Sequence, residues 1–255
     1  MSLQHRTQQL ASHQVHVSFI IPAYNEEAVI ADFIMALDTK AKAIGQPYEI
    51  IVVDDASQDN TYAICEALSS KIELKILSFS RNFGKEIALT AGLDHCHGDV
   101  AVLIDGDFQH PLDTIPEFLE QWGQGYDMVY GIRKSREDES RIKRSMARFF
   151  YRLMAKITQV DIPPNAGDFR LLDRSVIDAL KQVKERSRFM KGLYAWVGYK
   201  AVAVPFDVKE RAGGKSSWSF WRLTELAITG ITSFSDIPLR AWGVIGFIIS
   251  FVSTA

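Results

Sequence analysis

The stretch VSFIIPAYN, residues 17–25, predicts a buried β-strand that runs into a loop containing Pro22. It is followed by residues 26–44, in which apolar side chains recur at helical spacing. Further strands are predicted at 48–57, 74–80 and 99–107, and further helices at 59–70 and 85–96. Strands that alternate with helices predict an α/β fold, in which a mostly parallel sheet is covered by helices on both faces.

Polar side chains, most of them acidic, follow three of the predicted strands. They are Tyr24, Asn25, Glu26 and Glu27 after the first strand, Asp54 and Asp55 after the second, and Asp105 and Asp107 after the fourth. Because the carboxyl ends of parallel strands share one edge, where ligands bind, we expect these side chains in one cleft. Gathered carboxylates repel one another and lose solvation unless a cation compensates. A hard divalent cation that chelates a diphosphate would do so, since Mg2+ takes one or two carboxylates and adds phosphate oxygens and water.

Each acidic cluster, taken alone, also has a plain structural interpretation. An Asp-x-Asp pair is common in turns. The pair Asp54-Asp55, followed by Ser57 and Asp59, fits a turn and a helix cap. Acidic residues at positions 26–27 fit the first turn of a helix, where the helix dipole favours negative charge. Only the arrival of all three clusters at strand ends favours a ligand site.

Composition and missing motifs exclude several classes of protein. A net charge of −2, with 24% charged and 47% apolar residues, is typical of a globular protein and does not indicate nucleic-acid binding. Cys65 and Cys96 lack the spacing of a zinc site or a disulfide framework, which favours a reducing compartment. No GxGxxG follows the first strand. A Walker A loop ending at Ser216 would need glycine where Lys209 stands.

The two ends of the chain differ in character. Residues 1–15 form a polar N-terminal tail that is neither a signal peptide nor an anchor, so we expect the catalytic part, residues 16–215, in the cytoplasm. Residues 216–240 contain a Trp-rich amphipathic stretch that predicts helices at the membrane interface, although a core helix would show the same stripe. Residues 241–255 carry no charge and predict the beginning of a transmembrane helix, with a helix packed on the domain as the alternative.

A basic run lies between Arg133 and Lys156. It contains nine basic residues, against three acidic ones at positions 137–139. A solvated helix face explains many such runs. In a chain that is acidic overall, however, the concentration of arginine also predicts an anionic ligand, because the guanidinium group is well shaped to bind phosphate.

Six stretches together resemble one family. They are IPAYNEE (21–27), VVDDASQDNT (52–61), SRNFGKEIALTAGLDHCHGD (80–99), IDGDFQHP (104–111), GDFRLLDR (167–174) and ITGITSFSDIPLR (228–240). The sequence resembles the family-2 glycosyltransferases of the GT-A fold. Within them it is similar to the polyprenyl-phosphate sugar transferases, a group that includes dolichyl-phosphate mannose synthases and bactoprenol glucosyltransferases. The matching stretches cover nearly the whole chain, in the order that the family has them.

The resemblance implies a role for each matching residue. The expected contacts to the nucleotide base and ribose are Pro22, Tyr24, Glu26, Val53 and Asp55. Asp105 and Gly106 are expected near the ribose and diphosphate, and the expected ligands of Mg2+ or Mn2+ are Asp107 and Gln109. The expected phosphate-binding cations are Arg133 and Arg211, and the candidates for the lipid phosphate are Arg141, Lys143 and Arg144. One departure is that Ser217, instead of lysine, precedes Trp218, so Lys215 is the candidate for that contact.

The function that the resemblance implies is the inverting, metal-dependent transfer of a hexose from a nucleotide sugar, with UDP favoured, to undecaprenyl or another polyprenyl phosphate. We expect the cytoplasmic face of the inner membrane as the location, and the sequence leaves the oligomeric state open, a homo-oligomer included. The alternative is a family-2 transferase with a soluble or saccharide hydroxyl acceptor. A processive polysaccharide synthase is disfavoured because QxxRW is absent. A silent nucleotide-sugar sensor is disfavoured because Asp105, Asp107 and Gln109 are all present.

Overall fold

The computed structural model describes residues 3–134, 166–183, 185 and 188–207, together with helical positions 243, 246–247, 249–250 and 252–254. The helices are α1 (Leu3–Ala11), α2 (Ile30–Ile44), α3 (Thr61–Ser69), α4 (Lys85–His95), α5 (Ile115–Gly123), α6 (Arg174–Gln182) and α7 (Met190–Trp196). The strands are β1 (Val17–Ala23), β2 (Tyr48–Asp54), β3 (Leu74–Ser78), β4 (Val100–Leu103), β5 (Met128–Arg133), β6 (Ala166–Asp173) and β7 (Ala201–Phe206). A 3-10 helix, Leu112–Thr114, precedes α5.

The chain divides into two compact units. The first comprises residues 1–137, 165–184 and 197–216, and its described part holds α1 to α6 and all seven strands. The second comprises residues 138–164, 185–196 and 217–255, and its described part holds α7 and the helical positions near the C-terminus. The predicted domain boundaries at residues 16, 216 and 241 stay predictions.

The seven strands form one mostly parallel sheet in the order β3-β2-β1-β4-β6-β5-β7. Each pair of adjacent strands among β1 to β4 is parallel, and β5 is parallel to β7. Only β6 runs antiparallel, between β4 and β5. The amino end of β6 therefore lies at the same edge as the carboxyl ends of the other strands. The predicted α/β class with a mostly parallel sheet is confirmed.

The apolar runs of the sequence form the core of this sheet. All four residues of β4 and six of the seven residues of β1 are buried. Strands that are covered on both faces need side chains that are apolar throughout, because neither face meets water. Phe33 on α2 and Trp122 on α5 are fully buried members of the same core. The helices therefore cover the sheet as the alternating pattern predicted.

The central strands are shorter than predicted, for a conformational reason. The residues Asn25, Ala56 and Phe108 adopt left-handed backbone angles, with φ of 54°, 58° and 61°. A non-glycine residue pays roughly 1–2 kcal/mol for this conformation, which also turns the chain away from the extended direction. Asn25 and Ala56 lie two residues beyond the carboxyl ends of β1 and β2, so these strands end at Ala23 and Asp54 and do not extend over 17–25 and 48–57. Of the predicted strand at 99–107, only Val100–Leu103 is a strand, and Phe108 lies in the segment that follows it.

The N-terminal segment is more than the polar tail that the sequence predicted. Its residues Leu3–Ala11 form α1, and the guanidinium group of Arg6 lies 2.7 Å from Asp127 and 3.0 Å from Asp173. The Gln46 side chain donates a hydrogen bond to the Leu10 carbonyl oxygen and accepts one from the Val15 amide. The polar composition hid this role, because the segment docks through ion pairs and hydrogen bonds that have no hydrophobic signature.

The C-terminal predictions fall mostly outside the described residues. The amphipathic segment 216–240 lies wholly outside them, and of residues 241–255 only separate helical positions are described. At those positions Phe247, Ile249 and Val252 are exposed. Within the described part of the chain, every helix is too short or too polar to span a bilayer. The membrane-spanning helix stays a prediction.

Candidate active site

The loops after β1 and β2 are joined by reciprocal hydrogen bonds, and we call residues 25–27 and 57–61 the paired loops. The Asn25 amide donates to Ser57 Oγ at 3.0 Å, while the Gln58 amide donates to Asn25 Oδ1 at 2.8 Å. The Glu27 amide donates to Asp59 Oδ2 at 3.1 Å. The Asn60 amide and side-chain nitrogen both donate to Glu27 Oε2, at 3.0 and 2.9 Å. The two loops therefore form one unit.

This unit positions most of the residues predicted to contact the nucleotide. Pro22 and Val53 are paired neighbours on β1 and β2. Tyr24 follows with an exposed ring, and the Glu26 amide is fixed by Thr61 Oγ1 at 2.8 Å. The structure thus brings these four predicted residues to one edge of the sheet. Their contacts with a nucleotide stay a prediction.

The Asp55 carboxylate fixes the loop that follows β3. Its two oxygens accept hydrogen bonds from the amides of Phe83 and Gly84, at 2.7 and 2.8 Å. Asp55 is buried, whereas the ring of Phe83 is exposed. A carboxylate oxygen can accept more than one hydrogen bond, so this role leaves acceptor capacity for a ribose hydroxyl. In the structure, Asp55 determines where α4 begins.

The segment after β4 turns Asp107 inward. Asp107 is 6% exposed, and its Oδ1 accepts a hydrogen bond from the Gln109 amide at 3.0 Å. Gly106 approaches the core closely, since an added Cβ would lie 3.2 Å from Ile30 Cδ1. A side chain at this position would require Ile30 to shift slightly. Asp107 and Gln109 are adjacent in this segment, and their role as metal ligands stays a prediction.

Lys85 and Asp168 lie at the centre of the site, and the sequence analysis assigned neither of them a role. Lys85 Nζ lies 2.7 Å from Asp105 Oδ1 and 3.0 Å from Asp168 Oδ2. Burial alone would lower the pKa of Lys85, but the two carboxylates raise it, so Lys85 is charged at neutral pH. Both residues belong to stretches that resemble the family, NFGKE and GDFRLLDR, but only the antiparallel β6 shows that they meet Asp105. We call these three residues the Lys85 cluster.

His110 connects the segment after β4 with β6 and β7. Its ring stacks on Phe169 at 4.8 Å between centroids and meets Phe206 edge-on at 5.6 Å. Burial lowers the pKa of His110, so the ring is neutral and packs as an aromatic group. Because Phe169 directly follows Asp168, this stack fixes the distance between the Asp107 segment and the Lys85 cluster.

The predicted cations are only partly within the described residues. Arg133 is exposed at the carboxyl end of β5, where it pairs with Phe206 of β7. It therefore lies at the same edge of the sheet as Asp105 and Asp107. The remaining predicted cations lie outside the described residues, namely Arg141, Lys143, Arg144, Arg211 and Lys215.

The donor set at this edge fits a divalent cation that arrives with a phosphate ligand. Asp107 and Gln109 offer a carboxylate and an amide oxygen, which are the hard donors that Mg2+ and Mn2+ prefer. In residues 3–134, 166–183 and 188–207, no three acidic, histidine or cysteine side chains are arranged to hold a metal ion. A divalent cation held by Asp107 and Gln109 would need phosphate oxygens and water to complete its coordination shell.

Comparisons with known proteins identify the family of this chain. The family model described as Glycosyl transferase family 2 matches residues 18–181. An uncharacterized glycosyltransferase of Synechocystis is 44% identical over 94% of this chain and 76% of its own length. A prophage bactoprenol glucosyl transferase homolog of Escherichia coli and the bactoprenol glucosyl transferase of Shigella phage SfV are each 42% identical, over 93% of this chain and 78% of their own length.

Solved structures with low identity show the same fold. Mannosyl-3-phosphoglycerate synthase from Rubrobacter xylanophilus gives a TM-score of 0.59 at 16% identity, over 94% of this chain and 78% of that one. Glucosyl-3-phosphoglycerate synthase from Mycobacterium tuberculosis, in complex with Mn2+, UDP and glucosyl-3-phosphoglycerate, gives a TM-score of 0.56 at 19% identity. The match covers 89% of this chain and 80% of that one. A mannosyltransferase from Pyrobaculum calidifontis, in complex with GDP-Man and Mn2+, gives a TM-score of 0.57 at 17% identity, over 88% of this chain and 68% of that one. The chain therefore belongs to glycosyl transferase family 2 and is a glycosyltransferase with a GT-A-like fold.

Proposed function

We propose that this glycosyltransferase moves a hexose from a nucleotide sugar, with UDP as the expected nucleotide, to a polyprenyl phosphate such as undecaprenyl phosphate. One observation carries the choice of acceptor. Relatives named bactoprenol glucosyl transferases are 42% identical to this chain over 93% of its length. Bactoprenol is a polyprenyl lipid, so similarity at this level favours a lipid phosphate over a soluble acceptor.

A divalent cation, Mg2+ or Mn2+, is part of the proposal. Asp107 and Gln109 would hold it, and structural neighbours in complexes with Mn2+ and a nucleotide support its presence. When bound, the cation supplies a Lewis acid for the negative charge that develops on the leaving diphosphate. The protein contributes rigidity, because the Gly106 contact and the His110 stack fix the segment that carries both ligands.

The carboxylates of the Lys85 cluster are suited to the sugar side of the reaction. Breaking the bond between a sugar and a diphosphate builds positive oxocarbenium character on the sugar. The negative charges of Asp105 and Asp168 favour that character. Attack by the acceptor from the opposite face then inverts the anomeric centre. A phosphate acceptor is already anionic near neutral pH, so no general base is required, whereas a sugar hydroxyl would need one.

An anionic acceptor needs cations and, if it is a polyprenyl phosphate, a membrane. Arg133 is exposed at the correct edge of the sheet, and the basic run that follows it continues beyond the described residues. Because the polyprenyl tail stays in the bilayer, we propose that the protein works at the cytoplasmic face of the inner membrane. The uncharged residues 241–255 and the exposed Phe247, Ile249 and Val252 support a membrane contact there.

A transfer assay with the full chain in detergent tests this function. The donors are radiolabelled UDP-glucose, UDP-galactose, UDP-GlcNAc and GDP-mannose, each with Mn2+ or Mg2+ and undecaprenyl phosphate. We expect one donor to send label into the organic phase, and EDTA to abolish the transfer. Label that appears only in a water-soluble saccharide product, with none in the lipid, would contradict the acceptor and favour the hydroxyl-acceptor alternative.

The proposed location has its own measurement. The full chain with a C-terminal tag, expressed in a bacterial host, should sediment with inner membranes. Protease added to inverted vesicles should cleave it, whereas protease added to intact spheroplasts should not. Recovery of the protein in the supernatant after high-speed centrifugation would contradict the membrane part of the proposal and leave the transfer assay unaffected.

A further inference from the structure

The Lys85 cluster combines one ammonium group with two carboxylates. The ammonium group contacts both oxygens of Asp105, at 2.7 and 2.8 Å, and Oδ2 of Asp168 at 3.0 Å. The carboxylates follow β4 and begin β6, which are antiparallel neighbours in the sheet. The backbone therefore holds the two carboxylates near each other. One positive charge therefore stands where two negative charges would otherwise repel each other.

The position of Lys85 is itself fixed. Lys85 is the first residue of α4, and Asp55 accepts hydrogen bonds from the amides of the two residues before it. The Lys85 side chain thus comes from a third part of the fold and is 41% exposed, whereas the side chains of Asp105 and Asp168 are 29% and 14% exposed. A group at this exposure is accessible to ions from solution. It can therefore compete with them.

We propose that Lys85 is a built-in counter-ion, which occupies the place that a divalent cation would take between Asp105 and Asp168 and thereby makes metal binding dependent on the diphosphate. This inference rests on the proposed function, because it assumes a nucleotide diphosphate donor. A bare divalent cation near Asp107 meets the repulsion of the ammonium group. A cation that arrives with a diphosphate brings negative charge, which compensates that repulsion.

Removal of Lys85 should strengthen metal binding in the absence of nucleotide, whereas loss of a catalytic group alone would not. A neutral residue at position 85 leaves Asp105 and Asp168 close together without the ammonium group between them. Two converging carboxylates are hard oxygen donors that Mn2+ binds readily. We therefore expect Lys85→Met to bind Mn2+ more tightly than the wild type when no nucleotide is present, while it transfers sugar poorly.

The experiment measures free Mn2+ by electron paramagnetic resonance during titration of the purified full chain, with no nucleotide added. The variants are Lys85→Met, the charge-retaining Lys85→Arg, the double variant Lys85→Met/Asp105→Asn, and Lys75→Met. Lys75 is a half-buried lysine on β3 whose ammonium group donates to the backbone carbonyl oxygen of His95, and its loss matches the change in net charge. Circular dichroism verifies that each variant is folded, and Lys85→Gln replaces Lys85→Met if the latter does not fold.

We expect Lys85→Met to bind Mn2+ about tenfold or more tightly than the wild type, as for one compensating charge removed beside a divalent ion. Lys85→Arg and Lys75→Met should bind Mn2+ with the affinity of the wild type. The double variant should not show the tighter Mn2+ binding of Lys85→Met. Equal or weaker Mn2+ binding by Lys85→Met, or an equal gain in Lys75→Met, would overturn the inference. Adding UDP separates the two proposals. If UDP fails to tighten Mn2+ binding by the wild type, the donor part of the proposed function is wrong.

Discussion

Two clusters of the molecule have the same charges and nearly the same distances, but they lie at opposite edges of the sheet. The Lys85 cluster lies at the carboxyl edge, with contacts of 2.7 and 3.0 Å to Asp105 and Asp168. The Arg6 cluster lies at the amino edge, with contacts of 2.7 and 3.0 Å to Asp127 and Asp173. Each cluster therefore places one cation between two carboxylates, one of which belongs to β6.

Burial separates the two clusters. The side chain of Arg6 is 5% exposed and lies over the Trp122 ring, whereas the side chain of Lys85 is 41% exposed. The Asp173 carboxylate also accepts hydrogen bonds from Trp122 Nε1 and from the Ser175 amide and hydroxyl. A buried charge network stabilises one structure, whereas one that faces solvent can exchange its partners. We therefore assign the Arg6 cluster to stability and the Lys85 cluster to function.

The largest expected effect lies at the carboxyl edge. Asp107→Ala should reduce sugar transfer on the order of 1000-fold, because it removes several kcal/mol of charge stabilisation from the leaving diphosphate. The thermal midpoint of unfolding should change little, and isothermal titration with UDP and Mn2+ should show that the metal-dependent binding is lost. Unchanged affinity for UDP in the presence of Mn2+ would contradict the metal assignment.

The next largest effect lies at the amino edge and changes stability. Arg6→Met should lower the free energy of unfolding by about 3 kcal/mol, because it leaves the buried Asp173 and the half-buried Asp127 without their cation. Urea denaturation measures this loss. The kcat per folded molecule should stay within about twofold of the wild type, since the cluster is remote from the site. A large loss of kcat with unchanged stability would reverse our assignment of the two clusters.

The pH dependence of stability sharpens the same comparison. Burial raises the pKa of Asp173, but hydrogen bonds from Ser175 and Trp122 and the charge of Arg6 outweigh it. The pKa of Asp173 is therefore lowered in the folded protein. Its contribution is therefore complete above the unfolded-state pKa and is lost as pH falls through the folded-state pKa. We expect the free energy of unfolding to fall in acid, and to fall less steeply in Arg6→Met. Equal slopes of the free energy of unfolding against pH in both proteins would exclude Arg6 as a cause of the lowered pKa of Asp173.

The paired loops should show an intermediate effect. Glu27→Ala removes the acceptor of two hydrogen bonds from Asn60, each worth roughly 1 kcal/mol. We expect the KM for the donor to rise about tenfold with kcat nearly unchanged, because in the proposed function the loops position the nucleotide and do not touch the reacting bond. Glu27→Gln, which keeps an acceptor, should restore most of the affinity. Glu66→Ala, an exposed change on α3, is the matched control, and an equal effect there would contradict the prediction.

The smallest effect belongs to an ion pair at the surface. Lys40 lies 2.6 Å from Asp113, whose side chain is 80% exposed. Exposed pairs contribute about 0–1 kcal/mol, since water and salt screen them. Lys40→Met should therefore leave urea denaturation nearly unchanged. A loss as large as that of Arg6→Met would show that burial is not what separates the clusters.

Much of the fold and part of the site follow from local sequence signals. The alternation of apolar runs with helical patterns predicted β1 to β4 and the helices between them, and the Asp-x-Asp pattern predicted Asp105 and Asp107. The positive φ angles of Asn25 and Phe108 were not predictable, because no glycine marks them. The docking of α1 was missed as well, since its polar side chains gain their partners only from distant residues such as Asp127.

By itself, the sequence determined the α/β class, the edge of the sheet where the candidate site residues collect, and the similarity to family-2 glycosyltransferases. Periodicity and short motifs carry this information, because hydrophobic burial and turn chemistry act over a few residues. Only the tertiary structure decided that Lys85 stands between Asp105 and Asp168. These residues are distant in sequence and meet because β6 inserts antiparallel beside β4. Strand order depends on packing of the whole chain, so no local pattern contains it.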